Sequence, residues 1–541
     1  MSLSLPPPGT DGDIRLIRTS LPLLRESPDD CPRGNALRAR PFVRQAPPRS
    51  RRTPFEEFAL GPVMKALDSI EHDETELESA LAQLRRNPKN HAGHVDWADS
   101  AIRSYLSARA AHEARRHALG HPATLPVRTQ WTAIAWRDSP DSRGATRYER
   151  TAWGRRYASA DGSERELWLL SVNSVKSDRP AAEIAEAASV MVNGVPSRST
   201  PREVFRPIAD HIRPKRVRII GIGCGSGEHE VLADWDADEA DRQFTAHAKP
   251  ALARVVEDGR LTPGSSCVRC EGLMGCGLPH RTPGILGVPG PRRPRARRSV
   301  SATDLRVHSL CPAQFHLTRV LHLKSGTPEN LPIRRGRAVD EWLNLLHEEG
   351  CCRNAPLPDL LPGLTASELP TALAMLSQHQ RACPLDGLPT AERVRVQPRL
   401  TAYDPELDVV LIADPDLLYT RAGGWIWHET KTAAKRPWEG RALMETYPQL
   451  AFAVLMMSAG VLDGDPRRSL IELEVLYENG SRCEEIDPGD PDTQAEARRI
   501  IAALAGPWAV DETYVPRPDD HCKGCDALAH CAVGRAHVET R

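Results

Sequence analysis

Residues 409–432 have the sequence VVLIADPDLLYTRAGGWIWHETKT, and this stretch decides the fold of the second half of the chain. The run VVLIA predicts a buried strand, and the segments on either side of the turn RAGG predict two more strands. A hairpin symmetric about that turn places Asp416 opposite Glu429, with Cβ atoms about 5 Å apart. Lys431 follows Glu429 by two residues and therefore lies on the same face of its strand.

Two facing carboxylates and a lysine are the groups that metal-dependent phosphodiester hydrolysis requires. The carboxylates of Asp416 and Glu429 can hold Mg²⁺ or Mn²⁺, and the ammonium of Lys431 can orient the attacking water or stabilise charge on the phosphate. The alternative is that the two acids are exposed strand residues and that Lys431 is their solvated ion-pair partner. The rest of the sequence favours the first interpretation.

Length and composition indicate a soluble chain of several domains. The chain has 541 residues, of which 40% are hydrophobic and 26% charged, with 71 basic and 72 acidic side chains. Its net charge of −1 confines any nucleic-acid surface to a local patch. No apolar run is long enough to span a membrane, and residues 1–9 lack the features of a secretory signal. We therefore expect a cytoplasmic protein that does not bind membranes and whose 13 cysteines are candidate metal ligands rather than disulfides.

The cysteine spacing predicts a tandem duplication. A C-x2-C-x5-C pattern ends each half of the chain, and each is preceded by a similar series of strand, Gly/Ser turn and strand. The two triplets are Cys267, Cys270 and Cys276 in the first half, and Cys522, Cys525 and Cys531 in the second. We expect an α/β protein with domains at 1–288 and 300–541, joined by an exposed Arg/Pro-rich linker at 289–299 that could touch DNA phosphates.

Several motifs of the second half together resemble the RecB-like, iron–sulfur branch of the PD-(D/E)XK nucleases. This branch includes the AddB nuclease domain and the CRISPR-associated adaptation nucleases. In chain order the motifs are SATDLRVHSLCPAQF (301–315), RGRAVDEWL (335–343), ADPDLL (413–418), HETKT (428–432), Gln449 on an apolar helix, and the terminal cysteine triplet. The resemblance implies two restriction-endonuclease-like domains, each a mixed central sheet flanked by helices and closed by a cysteine cluster, of which the first is a degenerate copy.

The resemblance also implies roles for individual residues. The predicted catalytic residues are Asp416, Glu429, Lys431 and Gln449, and the predicted metal ligands are Asp340, Asp416 and Glu429. Asp340 stands where the family has a metal-binding histidine, and Ala453 stands where a tyrosine is common. A carboxylate at position 340 suits Mg²⁺ better than an imidazole does, so the change bears on metal preference.

The cysteines can bind either an iron–sulfur cluster or Zn²⁺, since both favour four thiolates. The resemblance supplies Cys311 as the fourth ligand of the terminal triplet and favours a [4Fe–4S] cluster, with zinc as the alternative. A second and weaker site in the first half comprises Cys31, Cys267, Cys270 and Cys276. The chain would then carry one cluster, or two if both sites fill.

The first half lacks the catalytic residues at the equivalent positions. Superposing the two predicted hairpins places Arg155 and Trp168 where Asp416 and Glu429 lie. The positions equivalent to Lys431 and Asp340 hold Leu170 and Lys65. We expect a domain without catalysis that serves DNA binding, strand guidance or partner contact, in which Arg155 and Arg156 could hold a phosphate.

The sequence thus predicts a metal-dependent DNA nuclease, and specifically an exonuclease. Its expected substrates are single-stranded DNA or duplex ends, and its expected setting is DNA repair, recombination, CRISPR adaptation or phage defence, with a helicase or a defence-system protein as partner. The alternative is a non-catalytic DNA-binding or scaffold protein stapled by structural metal or iron–sulfur clusters. A glycine motif at 221–227 (GIGCGSG) is typical of methyltransferases, but the duplication predicts a hairpin there.

Overall fold

The protein folds into mixed sheets flanked by helices, which confirms the predicted α/β class. The computed structural model describes residues 5–25, 30–138, 144–198, 203–290, 293–324, 329–436 and 442–540. No helix among these residues is both long and apolar enough to cross a membrane.

The first half contains thirteen strands and seven α-helices among the described residues. The strands are β1 (Thr10–Asp11), β2 (Leu16–Ser20), β3 (Arg44–Gln45), β4 (Thr124–Pro126), β5 (Gln130–Arg137), β6 (Thr146–Thr151), β7 (Arg155–Ser159), β8 (Glu164–Ser171), β9 (Val195–Arg198), β10 (Arg206–Pro207), β11 (Arg216–Gly223), β12 (His229–Asp236) and β13 (His280–Arg281). The helices are α1 (Pro32–Arg38), α2 (Gly61–His72), α3 (Leu77–Arg86), α4 (Ala92–Ala118), α5 (Ala181–Asn193), α6 (Ala237–Gln243) and α7 (Lys249–Glu257).

The second half contains eight strands and eight α-helices among the described residues. The strands are β14 (Arg298–Val300), β15 (Val394–Val396), β16 (Leu400–Asp404), β17 (Val409–Ala413), β18 (Leu417–Arg421), β19 (Gly424–Thr432), β20 (Leu470–Tyr477) and β21 (Gly480–Ile486). The helices are α8 (Ala302–Leu310), α9 (Pro312–Phe315), α10 (Leu331–Glu349), α11 (Leu369–Arg381), α12 (Leu443–Thr446), α13 (Pro448–Ser458), α14 (Pro491–Val510) and α15 (Ala532–Glu539).

Each half is built around a five-stranded sheet with the same order and directions. The second-half sheet has the order β15-β18-β19-β20-β21, and only β19 and β20 in it run parallel. The first-half sheet has the order β4-β7-β8-β11-β12, and only β8 and β11 run parallel. A buried helix connects the parallel strands in both, α13 in one and α5 in the other.

A second sheet in each half repeats the same relationship. In the first half β6 pairs parallel with β2 and antiparallel with β5. In the second half β17 pairs parallel with β14 and antiparallel with β16. The likeness of the second sheets covers these three strands, because the next strand differs: β9 runs antiparallel to β5, whereas β13 runs parallel to β16. The matching five-stranded sheets and three-strand units agree with the duplication, which stays a prediction.

Most of the strands predicted from sequence are present. The segment 409–413 is β17, and the glycine motif at 221–227 lies in the antiparallel β11–β12 hairpin, as the duplication predicted. Two helices surround the predicted motifs near the start of the second half. Gly336 lies within α10, which begins at Leu331 after the N-cap Asn330. The segment before Cys311 is helix α8, begun by a capping box of Ser301 and Asp304.

The two halves pack into each other rather than folding side by side. Strand β13, which precedes residue 288, pairs with β16 in a sheet of the second half. The first cysteine loop packs on the same sheet, where Cys267 and Leu273 contact Tyr403, Val410 and Ile412. The first half therefore depends on strands of the second half to bury its own cysteine loop.

The converse contact buries the second cysteine loop in the first half. Cys525 and Ala527 belong to the same hydrophobic cluster as Trp97 of α4. A Cβ atom on Gly93 would lie 2.7 Å from the carbonyl oxygen of His530, so only glycine allows α4 to approach this loop so closely. Each cysteine loop thus fastens one half to the other.

The segment predicted to be an exposed Arg/Pro-rich linker is exposed at its start, at 289–290 and 293–294, but Arg295 and Arg297 are buried. Arg295 donates to the carbonyl of Asp511 at 2.9 Å and to the hydroxyl of Tyr514 at 3.1 Å. The side chain of Arg297 is fully buried, and Arg298 begins strand β14. Residues 291–292 lie outside the described residues. The guanidinium groups of 295 and 297 serve internal hydrogen bonds, so the expectation of solvated side chains is wrong for these two arginines.

Arg297 provides a test of this correction. Its guanidinium donates to Asp408 at 2.5 Å, to the Cys270 carbonyl at 2.9 Å and to the Gln45 side chain at 2.7 Å. Arg297→Ala leaves these acceptors unpaired, and we expect it to lower the free energy of unfolding by roughly 3 kcal/mol in urea titrations. The exposed Arg293 of the same segment is the control, and Arg293→Ala should change stability by less than about 0.5 kcal/mol. Equal effects of the two substitutions would contradict the buried packing of this segment.

Candidate active site

The β18–β19 hairpin has the register predicted from the sequence. Leu417 pairs with His428 and Arg421 with Gly424, so Asp416, one residue before β18, lies opposite Glu429. The Asp416 carboxylate accepts a hydrogen bond from the backbone N–H of Thr430 at 2.7 Å. This bond anchors Asp416 at the start of β18, beside the central sheet strand that carries Glu429.

Lys431 joins the two carboxylates. Its Nζ lies 3.2 Å from Asp416 Oδ2, 3.0 Å from Glu429 Oε2 and 2.9 Å from the Thr430 carbonyl oxygen. Burial alone would lower the pKa of the ammonium, but Glu429 and Asp416 raise that pKa above its ordinary value. Lys431 is therefore held as a cation between two acids.

Asp340 adds a third carboxylate from helix α10. Its Oδ2 accepts a hydrogen bond from Gln397 Nε2 at 3.0 Å, while the backbone N–H of Gln397 donates to the Asp416 carbonyl at 3.1 Å. The close approach of α10 to β19 occurs at Gly336, where a Cβ atom would lie 3.1 Å from Thr432 Oγ1. The glycine and the glutamine together hold Asp340 beside the hairpin.

The three carboxylates outnumber the single lysine. Burial and the negative charge of Asp416 raise the pKa of Asp340 to about 6. Burial and the same charge raise the pKa of Glu429, although Lys431 and the Trp427 indole N–H oppose the rise. The crowding of these carboxyl groups disfavours their ionisation. Their oxygens are ligands of the kind that a hard divalent cation such as Mg²⁺ or Mn²⁺ prefers. The residues present therefore fit such a metal.

Gln449 lies at the start of α13, half-buried between the buried Pro448 and Leu450. Among the residues that the structure describes, its side chain makes no hydrogen bond to Asp340, Asp416 or Glu429. The structure brings together the two facing acids, the lysine and Asp340, and leaves the role of Gln449 a prediction.

Each predicted set of four cysteines lines one cavity. One cavity is lined by Cys311, Cys522, Cys525 and Cys531. The other is lined by Cys31, Cys267, Cys270 and Cys276. All thirteen cysteines of the chain lie among the described residues and carry free thiols.

The two cysteine sites also share a backbone pattern. The Sγ atoms of Cys31 and Cys311 each accept an N–H from the residue five positions before the respective triplet, Thr262 at 3.5 Å and Arg517 at 3.4 Å. Burial and the neighbouring thiols raise the pKa of Cys525, like that of Cys270, to about 11. Since a metal binds the thiolate, filling either site would release protons. The equivalent N–H bonds support Cys31 as the counterpart of Cys311.

The first half replaces the carboxylate cluster with an internal ion pair. Arg155 faces Trp168 across the β7–β8 pair, as the superposed hairpins predicted. Its side chain is 5% exposed, and its two terminal nitrogens bind the carboxylates of Asp68 and Glu71 on α2. Lys65 of the same helix is exposed.

The expectation that Arg155 and Arg156 hold a phosphate is wrong for Arg155, because both of its terminal nitrogens are already occupied. Arg156 donates to the backbone carbonyls of Thr129 at 3.1 Å and Arg128 at 3.2 Å. Burial lowers the pKa of Arg156 to about 10. Neither guanidinium is a solvated cation at the edge of the sheet.

Sequence reasoning missed one group of possible metal ligands. The side chains of His347, Cys352, His379 and Cys383 are buried, and their ligand atoms all lie within 4.8 Å of one another. The two cysteines have no recognisable ligand spacing in the sequence, because neither belongs to a C-x2-C pair. A usable signal was present nonetheless, since each cysteine follows a histidine by four or five residues near the end of a helix.

Part of the chain is similar to a known protein family. Residues 299–532 match the family model of the PD-(D/E)XK nuclease superfamily. The matched segment contains the sheet β15-β18-β19-β20-β21, Lys431 and all three carboxylates. No curated protein matches the chain. A solved structure titled "Crystal structure of SSO0001" is similar at 14% identity with a TM-score of 0.23, over 44% of this chain and 86% of that one.

The raised pKa of Asp340 predicts a pH dependence of stability. An acid whose pKa rises from 3.8 to about 6 on folding penalises the folded state above about pH 6, and the penalty disappears as the pH falls toward 3.8. In EDTA we expect Asp340→Asn to raise the thermal unfolding midpoint at about pH 7.5, and the gain to shrink on acidification to about pH 4.5. Glu341→Gln, at an exposed acid of the same helix, should show no such trend. A gain for Asp340→Asn that is independent of pH would contradict the assignment.

Proposed function

We propose that the protein is a Mg²⁺- or Mn²⁺-dependent deoxyribonuclease whose second half hydrolyses phosphodiester bonds. The observation that carries the proposal is the Lys431 ammonium bound by Asp416 and Glu429, with Asp340 beside them, in a PD-(D/E)XK superfamily domain. The net charge of the chain is −1, so the protein has no overall positive potential that would attract DNA. DNA would have to be bound through local contacts.

The carboxylates would hold the metal. Asp416 and Glu429 face each other across the hairpin, and Asp340 approaches from α10, so that oxygens from three elements converge. A divalent cation bound there would polarise the scissile phosphodiester and lower the pKa of the attacking water. The Gln397 amide and the Thr430 N–H orient two of these carboxylates through hydrogen bonds.

Lys431 would act on the reacting phosphate. Its Nζ donates to both acids, so it lies at the point where the metal ligands meet. A preorganised cation at this position can orient the attacking water or stabilise charge as it develops on the phosphoryl oxygens. The acids keep Lys431 charged at neutral pH, which this role requires.

The resemblance to RecB-like nucleases extends the proposal. It suggests an exonuclease acting on single-stranded DNA or duplex ends, in repair, recombination, CRISPR adaptation or phage defence, with a helicase or defence-system partner. Gln449 would help to position the substrate or the metal, as the glutamine helix of that family implies. The thirteen free thiols agree with a reducing cytoplasm as its location.

The first half would be a non-catalytic copy. Its sheet has the same strand order, but Arg155 and Trp168 occupy the positions of Asp416 and Glu429, and Arg155 is neutralised internally by α2. Because this guanidinium is not exposed, the proposed DNA or partner contact of the first half must use other surface groups.

We also propose that the two sets of four cysteines bind [4Fe–4S] clusters, with Zn²⁺ as the alternative. The arrangement of each set around a single cavity and the matching N–H bonds to Sγ support metal binding at both sites. The choice of iron rests on the resemblance alone, because thiolates serve both metals.

Substitution of the facing acids tests the nuclease. We expect Asp416→Asn and Glu429→Gln each to reduce cleavage of end-labelled DNA in Mg²⁺ or Mn²⁺ by roughly 10³-fold. Losing a metal ligand forfeits several kcal/mol of transition-state stabilisation, and each 1.4 kcal/mol is about tenfold in rate.

Asp414 provides the matched control, because it is an exposed acid two residues before Asp416 that pairs with Arg399. Asp414→Asn should retain near-normal cleavage. If wild-type protein binds DNA but cleaves neither single-stranded nor duplex substrates, the non-catalytic scaffold is correct. If Asp416→Asn cleaves like the wild type, the catalytic site lies elsewhere.

The metal at the cysteine sites is tested by anaerobic purification. We expect a brown protein with broad absorption at roughly 400 nm and roughly eight irons per chain when both sites are filled. Cys522→Ser together with Cys525→Ser should halve the iron content, whereas substitution of the exposed Cys483 should not change it. A colourless protein with stoichiometric zinc would replace the iron assignment with zinc.

A further inference from the structure

The ends of helices α10 and α11 bring two histidines and two cysteines together. His347 lies in the last turn of α10, and Cys352 follows that helix after Gly350, whose φ of +127° reverses the chain. His379 lies in the last turn of α11, and Cys383 follows its C-cap Ala382. Each helix thus contributes one imidazole and one thiol to the same point.

The distances between these groups suit a single tetrahedral ion. His347 Nε2 lies 3.2 Å from His379 Nε2 and 3.8 Å from Cys383 Sγ. Bonds of about 2.05 Å to nitrogen and about 2.3 Å to sulfur at tetrahedral angles give separations of about 3.3 Å for N···N and about 3.6 Å for N···S. The observed spacings are within a few tenths of an ångström of both.

A neighbouring carboxylate orients one of the imidazoles. His379 Nδ1 is hydrogen bonded to Glu474 Oε2 on strand β20, which directs Nε2 toward His347 and the thiols. Metal-binding histidines characteristically donate their other ring N–H to a carboxylate in this way, which fixes the tautomer and strengthens the ligand. Glu474 therefore lies where an outer-sphere partner of the ligand His379 would lie.

The two thiols lie in apolar surroundings. Cys352 and Cys383 belong to an apolar cluster that includes Met375, Leu376 and Leu417. Thiolate and imidazole ligands suit Zn²⁺, whereas Mg²⁺ and Ca²⁺ prefer oxygen.

We propose that His347, Cys352, His379 and Cys383 bind one structural Zn²⁺ ion. This site is separate from the carboxylates of the proposed active site and from both sets of four cysteines. It would fasten the C-terminal ends of α10 and α11 together against strand β20. Because α10 also carries Asp340, two helical turns before His347, the ion would hold that helix in position over the hairpin.

The same carboxylate links this site to the strand of the proposed catalytic residues. Glu474 Oε2 lies 3.6 Å from Nε2 of His428, and the Nδ1 of His428 is 3.0 Å from Glu472 Oε2. His428 directly precedes Glu429 on β19. The zinc ligands therefore adjoin the active-site strand through side chains of its neighbour β20, although zinc binding itself does not rest on the nuclease proposal.

Zinc content of the whole protein tests the proposal. Protein reconstituted with Zn²⁺ and desalted is assayed by mass spectrometry of its metals, for wild type, for Cys352→Ser with Cys383→Ser, and for Cys351→Ser. We expect the double variant to hold one zinc fewer per chain than wild type. Cys351 is adjacent in sequence but exposed and outside the cluster, so Cys351→Ser should keep the wild-type content. Zinc at the other cysteine sites cancels in this comparison.

If the double variant does not fold, X-ray absorption of the wild-type protein tests the zinc site instead. X-ray absorption at the zinc edge should show nitrogen ligands at about 2.0 Å as well as sulfur at about 2.3 Å. A shell of sulfur alone would overturn the proposal. So would wild-type protein that retains no zinc, or a Cys352–Cys383 disulfide found by peptide mapping without reductant. Equal zinc in wild type and in a folded double variant would overturn it as well.

Discussion

The antiparallel register of β18 against β19 is the constraint on which the proposed active site depends. Successive side chains on a strand point to opposite faces, so a shift of one residue would turn Glu429 and Lys431 away from Asp416. The pairs Leu417–His428 and Arg421–Gly424 prevent that shift, as does the parallel pairing of β19 with β20 on its other side. The hairpin is thus held from both edges, and the backbone N–H of Thr430 adds a direct bond to Asp416.

The two halves place side chains of opposite charge at the same position of a similar sheet. In the second half three carboxylates surround Lys431, and the pKa values of Asp340 and Glu429 rise because negative charge is in excess. In the first half the strand position of Asp416 holds a cation, Arg155, and two acids from α2 bind it. A buried charge is stable only beside a partner of opposite charge. In the first half the acids of α2 are that partner for Arg155, whereas in the second half the carboxylates outnumber Lys431 and could bind a further cation.

Groups of cysteines recur at helix ends in this protein. Cys31 and Cys311 each precede a short helix, and both meet a cysteine triplet far along the chain. The two triplet loops also pack across the boundary between the halves, which makes the proposed clusters part of the joint core. The His/Cys group at the ends of α10 and α11 applies the same principle within the second half, next to the helix that carries Asp340.

The sequence by itself determined the elements whose signals are local. The turn RAGG and the apolar residues before and after it predicted β17, β18 and β19. They also predicted the register of β18 against β19, because pairing in a tight hairpin follows from chain geometry. The cysteine triplets and the strand–turn–strand pattern before them predicted two similar units. Each of these patterns spans only a few dozen residues, so it can be recognised from local sequence.

Only the tertiary structure decided which distant groups meet. The Arg/Pro-rich segment has no apolar periodicity, yet Arg297 is buried because Gln45, Asp408 and the Cys270 carbonyl converge on it from other elements. Arg155 has its acids more than eighty residues earlier, and His347 meets His379 across two helices. Local pattern encodes the strands and helices themselves, whereas these contacts depend on how the elements pack, because a polar side chain can be buried only where packing supplies its partner.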